Sequence, residues 1–429
     1  MNPYNLAFPV NPATHVSAGG VEDIVAAVQQ ARRQGRRVSV MATGHGLNAP
    51  IEDGVLITTE RMREVTIDPA ARTATLAAGV RWAQVIEAAA PYGLAPVNGS
   101  SARVGAVGYT LGGGSGPLSR AYGFAADHVR RVRLVDGTGQ VREVDADSDP
   151  ELFWAVRGGK GNFGVVTEME IGLMPVATLY GGSVYYPGEA ARDVLHAFGE
   201  WSADLPDRVA TTSVAVLRLP PLPELPEVLR GQLVVQLRYA HLDGVEAGEK
   251  VLAGMRSVAG PLLDTVQELP YTSVDSIHQD PPEPMPFWDG GAGLAGFPAE
   301  AADALLDLVG PGQDVPIPLV EVRLQGGAMA RPPVVPNAVT GRDAAYALSA
   351  VGLMAGDAAR VVPALIAEIV AAVGPWRSAS DLFNMIGPVG PERVAALWTE
   401  ADRARLLAVK QRVDPAGMFG GAHTIGRTS

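Results

Sequence analysis

Cysteine is absent from all 429 residues. That absence removes disulfides, thiolate zinc sites, iron–sulfur ligation and a cysteine nucleophile, and it leaves the redox compartment unreadable. Basic residues are the minority, 34 Lys+Arg against 46 Asp+Glu, for a formal charge of −12. General binding to nucleic acid or to an anionic membrane needs clustered Lys and Arg, so both are disfavoured. Long apolar runs are missing as well. No stretch reaches the roughly 18 uninterrupted apolar residues of a membrane span. The opening residues Met1 to Leu6 carry neither the positive region nor the apolar run of a secretory leader. The expectation is a soluble cytoplasmic protein. What is present is 47% hydrophobic and 19% charged residues, enough for a large core and too apolar for disorder. The length suggests about two or three domains.

The 50 glycines and 34 prolines place much of the chain in turns and loops, as where backbone approaches a ligand closely. Val21, Ile24, Val25, Val28 and Ala31 have helical spacing, so a helix is predicted over 21–34, ended by Gly35. A strand over 37–42 then runs into the loop Thr43-Gly44-His45-Gly46. Further predictions are a strand over 73–78, a helix over 82–90, a hairpin over 132–144 turning at Asp136-Gly137-Thr138-Gly139, a short helix over 151–157 and a strand over 163–171. Beyond residue 176 the texture changes. Proline-rich connectors at 219–226 and 281–286 separate the strands 232–238 and 320–325 and a helix over 300–308. One helix is predicted over 393–412, stopped at Asp414-Pro415.

Several familiar signatures fail. Asp136-Gly137-Thr138-Gly139 sits between strands, whereas a dinucleotide loop opens a helix. Gly158-Gly159-Lys160-Gly161 lacks the following Ser or Thr of a phosphate loop, and Gly113-Gly114-Ser115-Gly116-Pro117 lacks the last glycine of a nucleophile elbow. The seven histidines form no pair at helical metal-ligand spacing, so no metal is expected. Three segments remain. Ala42-Thr43-Gly44-His45-Gly46 presents a histidine between glycines, which by itself also suits a loop histidine bonded to backbone. Ser101 to Gly116 exposes successive backbone N–H groups that can cradle a pyrophosphate, or is simply a flexible loop. Arg157 to Glu168 reads alone as a loop entering a strand.

Taken in order, these segments resemble the berberine-bridge-enzyme-like branch of the vanillyl-alcohol-oxidase superfamily of FAD-linked oxidases, and are close in pattern to the bacterial 6-hydroxynicotine oxidases. The resemblance is carried over 8–176 by Gly44-His45-Gly46, by Val104 to Gly116, by Leu152-Phe153-Trp154-Ala155-Val156-Arg157-Gly158 and by Asn162-Phe163-Gly164-Val165-Val166-Thr167-Glu168. A weaker echo closes the chain at Ala408 to Pro415, with Met418-Phe419 after it. The resemblance implies an α+β fold, in which a PCMH-type FAD-binding domain is built from residues 1–176 and the C-terminal return 391–429, around an inserted α+β substrate-binding domain at 177–390.

It further implies a flavin joined covalently to His45. The second, cysteinyl link of many relatives falls on Ser101, so the attachment would be mono-covalent. The cofactor-binding set implied is Ala42, Thr43, Gly44, His45, Gly46, Asn48, Val104, Gly105, Gly108, Thr110, Gly112, Gly113, Val165 and Asn384, with Val104 at the position that governs oxygen access. Relatives often carry a tyrosine base where this chain has Phe383, so that role is vacant or filled elsewhere. The candidate catalytic groups are Tyr109, beside the glycine loop, and the row Glu321, Arg323 and Gln325, which alternation puts on one strand face that would otherwise be a solvated sheet surface. His278 reads as a surface or satisfied histidine rather than a base. Tyr271, Phe287 and Trp288 suit a pocket wall or plain core packing. The function expected is an FAD-dependent oxidase that takes a hydride from a C–H beside an alcohol or amine of a small molecule, with O2 as the partner and H2O2 as the product. The alternatives are a flavin dehydrogenase or tailoring oxidoreductase, or a flavin-binding protein without turnover. Substrate and oligomeric state have no signature.

Overall fold

The computed structural model describes residues 3–426; the first two residues of the opening stretch and the last three of the tail lie outside it. The N-terminal region builds three sheets, the smallest a parallel pair of Val10–Asn11 with Ile51–Glu52. Three parallel strands are ordered Thr14–Ser17, Val55–Thr58, Val38–Met41. The helix Val21–Gln34 covers them with Ile24, Ala27, Val28 and Ala31, three of them from the stripe that the sequence marks, and Gly35 caps it at φ 61°. Five antiparallel strands follow in the order Val65–Asp68, Thr73–Ala77, Val165–Gly172, Val129–Val135, Val141–Val144. The predicted hairpin turns as expected because the Asp136 carboxylate accepts from the N–H groups of Thr138 and Gln140. Inside the glycine-rich stretch lies one short helix, Ala106–Leu111.

Residues 178–353 supply a single antiparallel sheet of eight strands. Its main path runs Leu263–Asp264, Thr178–Pro187, Leu233–His241, Val209–Arg218, Leu319–Leu324, Tyr346–Leu353, Phe287–Leu294, with Gln267–Pro270 pairing at one side. Strand alternation divides its residues between two faces. Val214, Val216, Val235, Leu237, Val320 and Val322 form one, packed against the helices Ala191–Ser202, Gly244–Arg256, Ala299–Val309 and Ala358–Ala372. Gln236, Arg238, Glu321 and Arg323 form the other, and that face looks onto a cavity.

The tail departs from the expected single helix. It is broken into Pro391–Ala395 and Glu400–Val413, because Thr399 takes an extended conformation and its hydroxyl caps the second helix, accepting from the Asp402 N–H at 3.1 Å. Past Asp414 the chain returns to the three-stranded sheet. Val38 N–H donates to Met418 O at 3.0 Å, and Met418 and Phe419 join the core under the first helix. Lys410, almost buried, ties this return down by donating to Asn162 O, Phe419 O and the Asp414 carboxylate. Among the described residues no helix is long and apolar enough to cross a membrane, and no His, Asp or Glu group is spaced to hold a metal ion.

Candidate functional site

A cavity of about 840 Å³ lies between the N-terminal loops and the polar face of the large sheet. That is the upper part of the roughly 300–1,000 Å³ range of small-molecule sites. One wall begins where the strand Val38–Met41 ends. The loop after it brings Ala42, Thr43, Gly44, His45, Gly46 and Asn48 to the cavity surface. The His45 ring stacks on Tyr4, centroids 3.9 Å apart and planes within 9°. Its Nδ1 lies 2.8 Å from the Thr43 hydroxyl, and Nε2 has no hydrogen-bond partner among the described residues. Burial, helped by Arg81, lowers its pKa to about 4, so the ring is neutral at physiological pH. The main-chain N–H groups of Gly44, His45, Gly46 and Asn48 meet no protein acceptor among the described residues.

The second wall is the glycine stretch, from which Val104, Gly105, Gly108, Tyr109 and Gly112 line the cavity. A third comes from the loop at 159–164 and the chain's late returns. Lys160 holds φ 54°, a conformation that non-glycine residues rarely adopt, and its ammonium reaches inward. It donates to Phe383 O at 3.0 Å and to His423 Nδ1 at 3.1 Å, with no carboxylate in bonding range, and burial pulls its pKa down to about 7. His423 donates from Nε2 to Gly387 O, so its Nδ1 is the acceptor. Burial and then Lys160 depress its pKa to about 3. Asn384 donates to Tyr109 O at 2.8 Å, which locks the C-terminal segment to the glycine stretch.

The ceiling is the polar face of the large sheet. Arg238 and Arg323 both bond the Glu321 carboxylate, at 2.8 and 3.0 Å, and all three are almost fully buried. Burial acts to raise the Glu321 pKa, but Arg323 and Arg238 outweigh it and hold the carboxyl well below its usual range. The row is thus no solvated face, and Glu321, with both carboxylate oxygens engaged by guanidinium groups, is not free to take a proton. Tyr109 fares no better as a base, since burial pushes its phenol up and its hydroxyl finds no partner among the described residues. His278 overturns its expected status. It is 2% exposed, both ring nitrogens lack partners among the described residues, and burial together with Arg323 and Arg238 keeps it neutral. Asp289, raised to about 6 by burial, is a further titratable group on the same wall.

Four expected site residues miss the cavity. Gln325 turns away, because its amide oxygen accepts from Ser115 in the packed interior. Thr110 spends its hydroxyl on Ala106 O one helical turn back. Gly113, at φ 105°, faces Val339 and Phe124. Val165 packs into the core with Val135 and Phe419, and its neighbours Gly164 and Val166 face the cavity instead, one step out of phase along the strand. Lys160, Arg238, His278 and His423 were missed. The signal for Lys160 was its rarity, since only three lysines occur, at 160, 250 and 410.

The walls fit FAD by their own chemistry. A Cβ built on Gly46, Gly108, Gly161 or Gly421 meets no atom within 4 Å, so four cavity glycines face space that protein does not fill. The free amides of Gly44, His45, Gly46 and Asn48 and the carboxylate-free Lys160 suit a pyrophosphate. Comparison with known proteins agrees. Residues 12–145 match the family described as an FAD binding domain. The chain is 29% identical to (R)-6-hydroxynicotine oxidase of Paenarthrobacter nicotinovorans over 425 residues, covering 94% of this chain and 88% of that protein. The solved 6-hydroxy-D-nicotine oxidase of Arthrobacter nicotinovorans superposes with a TM-score of 0.86 at 25% identity, over 99% of this chain and 94% of the other. Glucooligosaccharide oxidase of Acremonium strictum has the same fold, with a TM-score of 0.85 at 18% identity over 99% and 93% of the two chains. Fold and site therefore define an FAD-dependent oxidoreductase with a PCMH-type FAD-binding architecture. The chain thus carries an FAD-binding domain and is similar, over nearly its whole length, to 6-hydroxynicotine oxidase.

Proposed function

We propose that the protein is an oxidase that removes a hydride from a C–H beside an alcohol or amine of a small organic substrate, passes the electrons to O2, and carries its FAD on a single covalent bond to His45. The observation that carries this reading is the placement of His45. A neutral imidazole with a free Nε2 stands on the cavity wall, held by Tyr4 and Thr43, and facing the same space as the polar sheet. A covalent histidyl FAD is named for glucooligosaccharide oxidase, together with a cysteinyl bond that this cysteine-free chain is unable to make.

In this reading the loop 42–48, the stretch 104–112, Lys160 and Asn384 hold the cofactor. Bound FAD supplies the hydride acceptor. The chain's own residues do the rest. His278, neutral and unpaired, accepts the proton from the substrate hydroxyl or amine at Nδ1 or Nε2, the role that Phe383 leaves vacant. Glu321 stays ionised and fixes the two guanidinium groups. Val104, small and on the cavity surface, leaves room for O2.

The test is a visible spectrum of the purified protein, repeated on pellet and supernatant after acid precipitation. A yellow pellet that the His45→Ala variant lacks is expected, along with peroxide release on turnover. A yellow supernatant would remove the covalent bond. Anaerobic bleaching by substrate without reoxidation in air would make the protein a dehydrogenase. A colourless protein that FAD does not restore would overturn the whole reading.

A further inference from the structure

We propose that the ceiling of the cavity is a carboxylate site, so that the substrate is a small organic acid carrying, besides the alcohol or amine to be oxidised, one anionic carboxylate held by Arg323 and Arg238. This deepens the oxidase reading and rests on it for the reaction, though not for the binding.

The sheet register builds the site. Ser213 sits between Arg238 on one neighbouring strand and Arg323 on the other, and Ala215 sits between Gln236 and Glu321. Small residues on the central strand let the long side chains beside them converge over it. The result is two guanidinium groups sharing one carboxylate, all almost fully buried. Their donors are unequally used. Arg238 spends Nε on Gln236, Nη1 on Glu321 and Nη2 on His278 O. Arg323 gives Nε and Nη2 to Glu321, while Nη1 has no acceptor among the described residues.

Two cations against one anion leave one positive charge in excess, and an uncompensated buried charge is costly. Asp280, half-buried on the cavity lining, acts on Arg323 through space but bonds neither guanidinium. His278 adds two unpaired ring nitrogens beside the pair and no charge. The missing complement is therefore a single negative group with two acceptor oxygens, and a carboxylate matches the guanidinium fork. A cationic amine without an acid group would meet the excess positive charge unshielded.

The test titrates the holoenzyme by calorimetry with benzoate and phenylacetate, each beside its neutral amide, and with benzylamine as the cation. Each acid is expected to bind at least about tenfold tighter than its amide, with benzylamine weakest. Arg323→Met should abolish the preference, whereas Glu321→Gln, which frees both guanidinium groups, should tighten acid binding. Opposite shifts in the two variants do not come from misfolding. Acids that bind no better than their amides to the unmutated protein, or that give no heat at all, overturn the proposal. A colourless protein that still prefers acids counts against the cofactor reading alone.

Discussion

His278 and Phe383 together set what the site does with protons. Phe383 is buried and its ring takes the Lys160 ammonium at 4.2 Å, so the aromatic face serves a cation rather than a substrate proton. That leaves His278 as the neutral, unpaired base on the polar wall. Replacing it with Ala should lower the rate of flavin reduction about 10²–10³-fold, in line with the loss of a general base. Flavin content should stay unchanged, as read by the visible spectrum and anaerobic stopped flow. A variant that reduces its flavin at the parental rate would move the proton acceptor elsewhere, with Asp289 the next group to test. Because burial and the two arginines lower the His278 pKa, the acid limb of the rate profile should lie below the usual histidine range.

At the scale of elements, glycines of two kinds occupy the same short stretch. A Cβ on Gly116 would lie 1.9 Å from Asn98 O, whereas one on Gly108, inside the helix Ala106–Leu111, meets nothing within 4 Å. Gly116→Ala should therefore destabilise the fold, by about 2–3 kcal/mol as for other overpacked interiors. Gly108→Ala should do the opposite to the flavin-free protein, since Ala is favoured over Gly in a helix by about 0.5–1 kcal/mol. Yet it should lose most of its flavin, because the methyl group points into the cofactor's space. Thermal unfolding and the flavin-to-protein absorbance ratio separate the two effects. A fully loaded Gly108→Ala protein would show that the helix does not approach the cofactor. The expected strand over 320–325 had the right phase for Glu321 and Arg323 and the wrong surroundings. Alternation tells which residues share a face, but not what covers that face.

For the whole molecule, the last residues matter as much as the first. Phe419 is 2% exposed in the core beneath the first helix, and Phe419→Ala should cost about 3–5 kcal/mol, measured by denaturant unfolding. Acid should also unfold the protein through its neutral histidines. His423 is lowered to about 3 and His45 to about 4, against an unfolded value near 6.5. Between those values the unfolded chain binds protons that the folded chain refuses. Stability is thus fully present above about pH 6.5 and is lost as pH falls toward 4, by an amount on the order of a few kcal/mol. His423→Gln should flatten the melting temperature between pH 6.5 and 4, whereas a slope equal to that of the parent would acquit the residue.

The sequence by itself determined what depends on near neighbours: the helix over 21–34 and its Gly35 cap, the turn at Asp136, and the glycine-flanked His45 at a strand's end. Each follows from spacing, capping or the conformations a residue allows, all within a few positions. It also carried the resemblance to FAD-linked oxidases, because its three motifs follow one another in order. Only the tertiary structure decided what depends on distant partners. His278 became a buried, unpaired group because strands from 178–353 close over it, and Glu321 became a locked anion because Arg238, on a strand 83 residues away, reaches it. Gln325, Gly113 and Val165 left the site for partners far along the chain, Ser115, Val339 and Phe419, and only Thr110 for a near neighbour, Ala106. A side chain's charge state and its access to a cavity are set by what surrounds it, and those surroundings come from parts of the chain that only folding brings together.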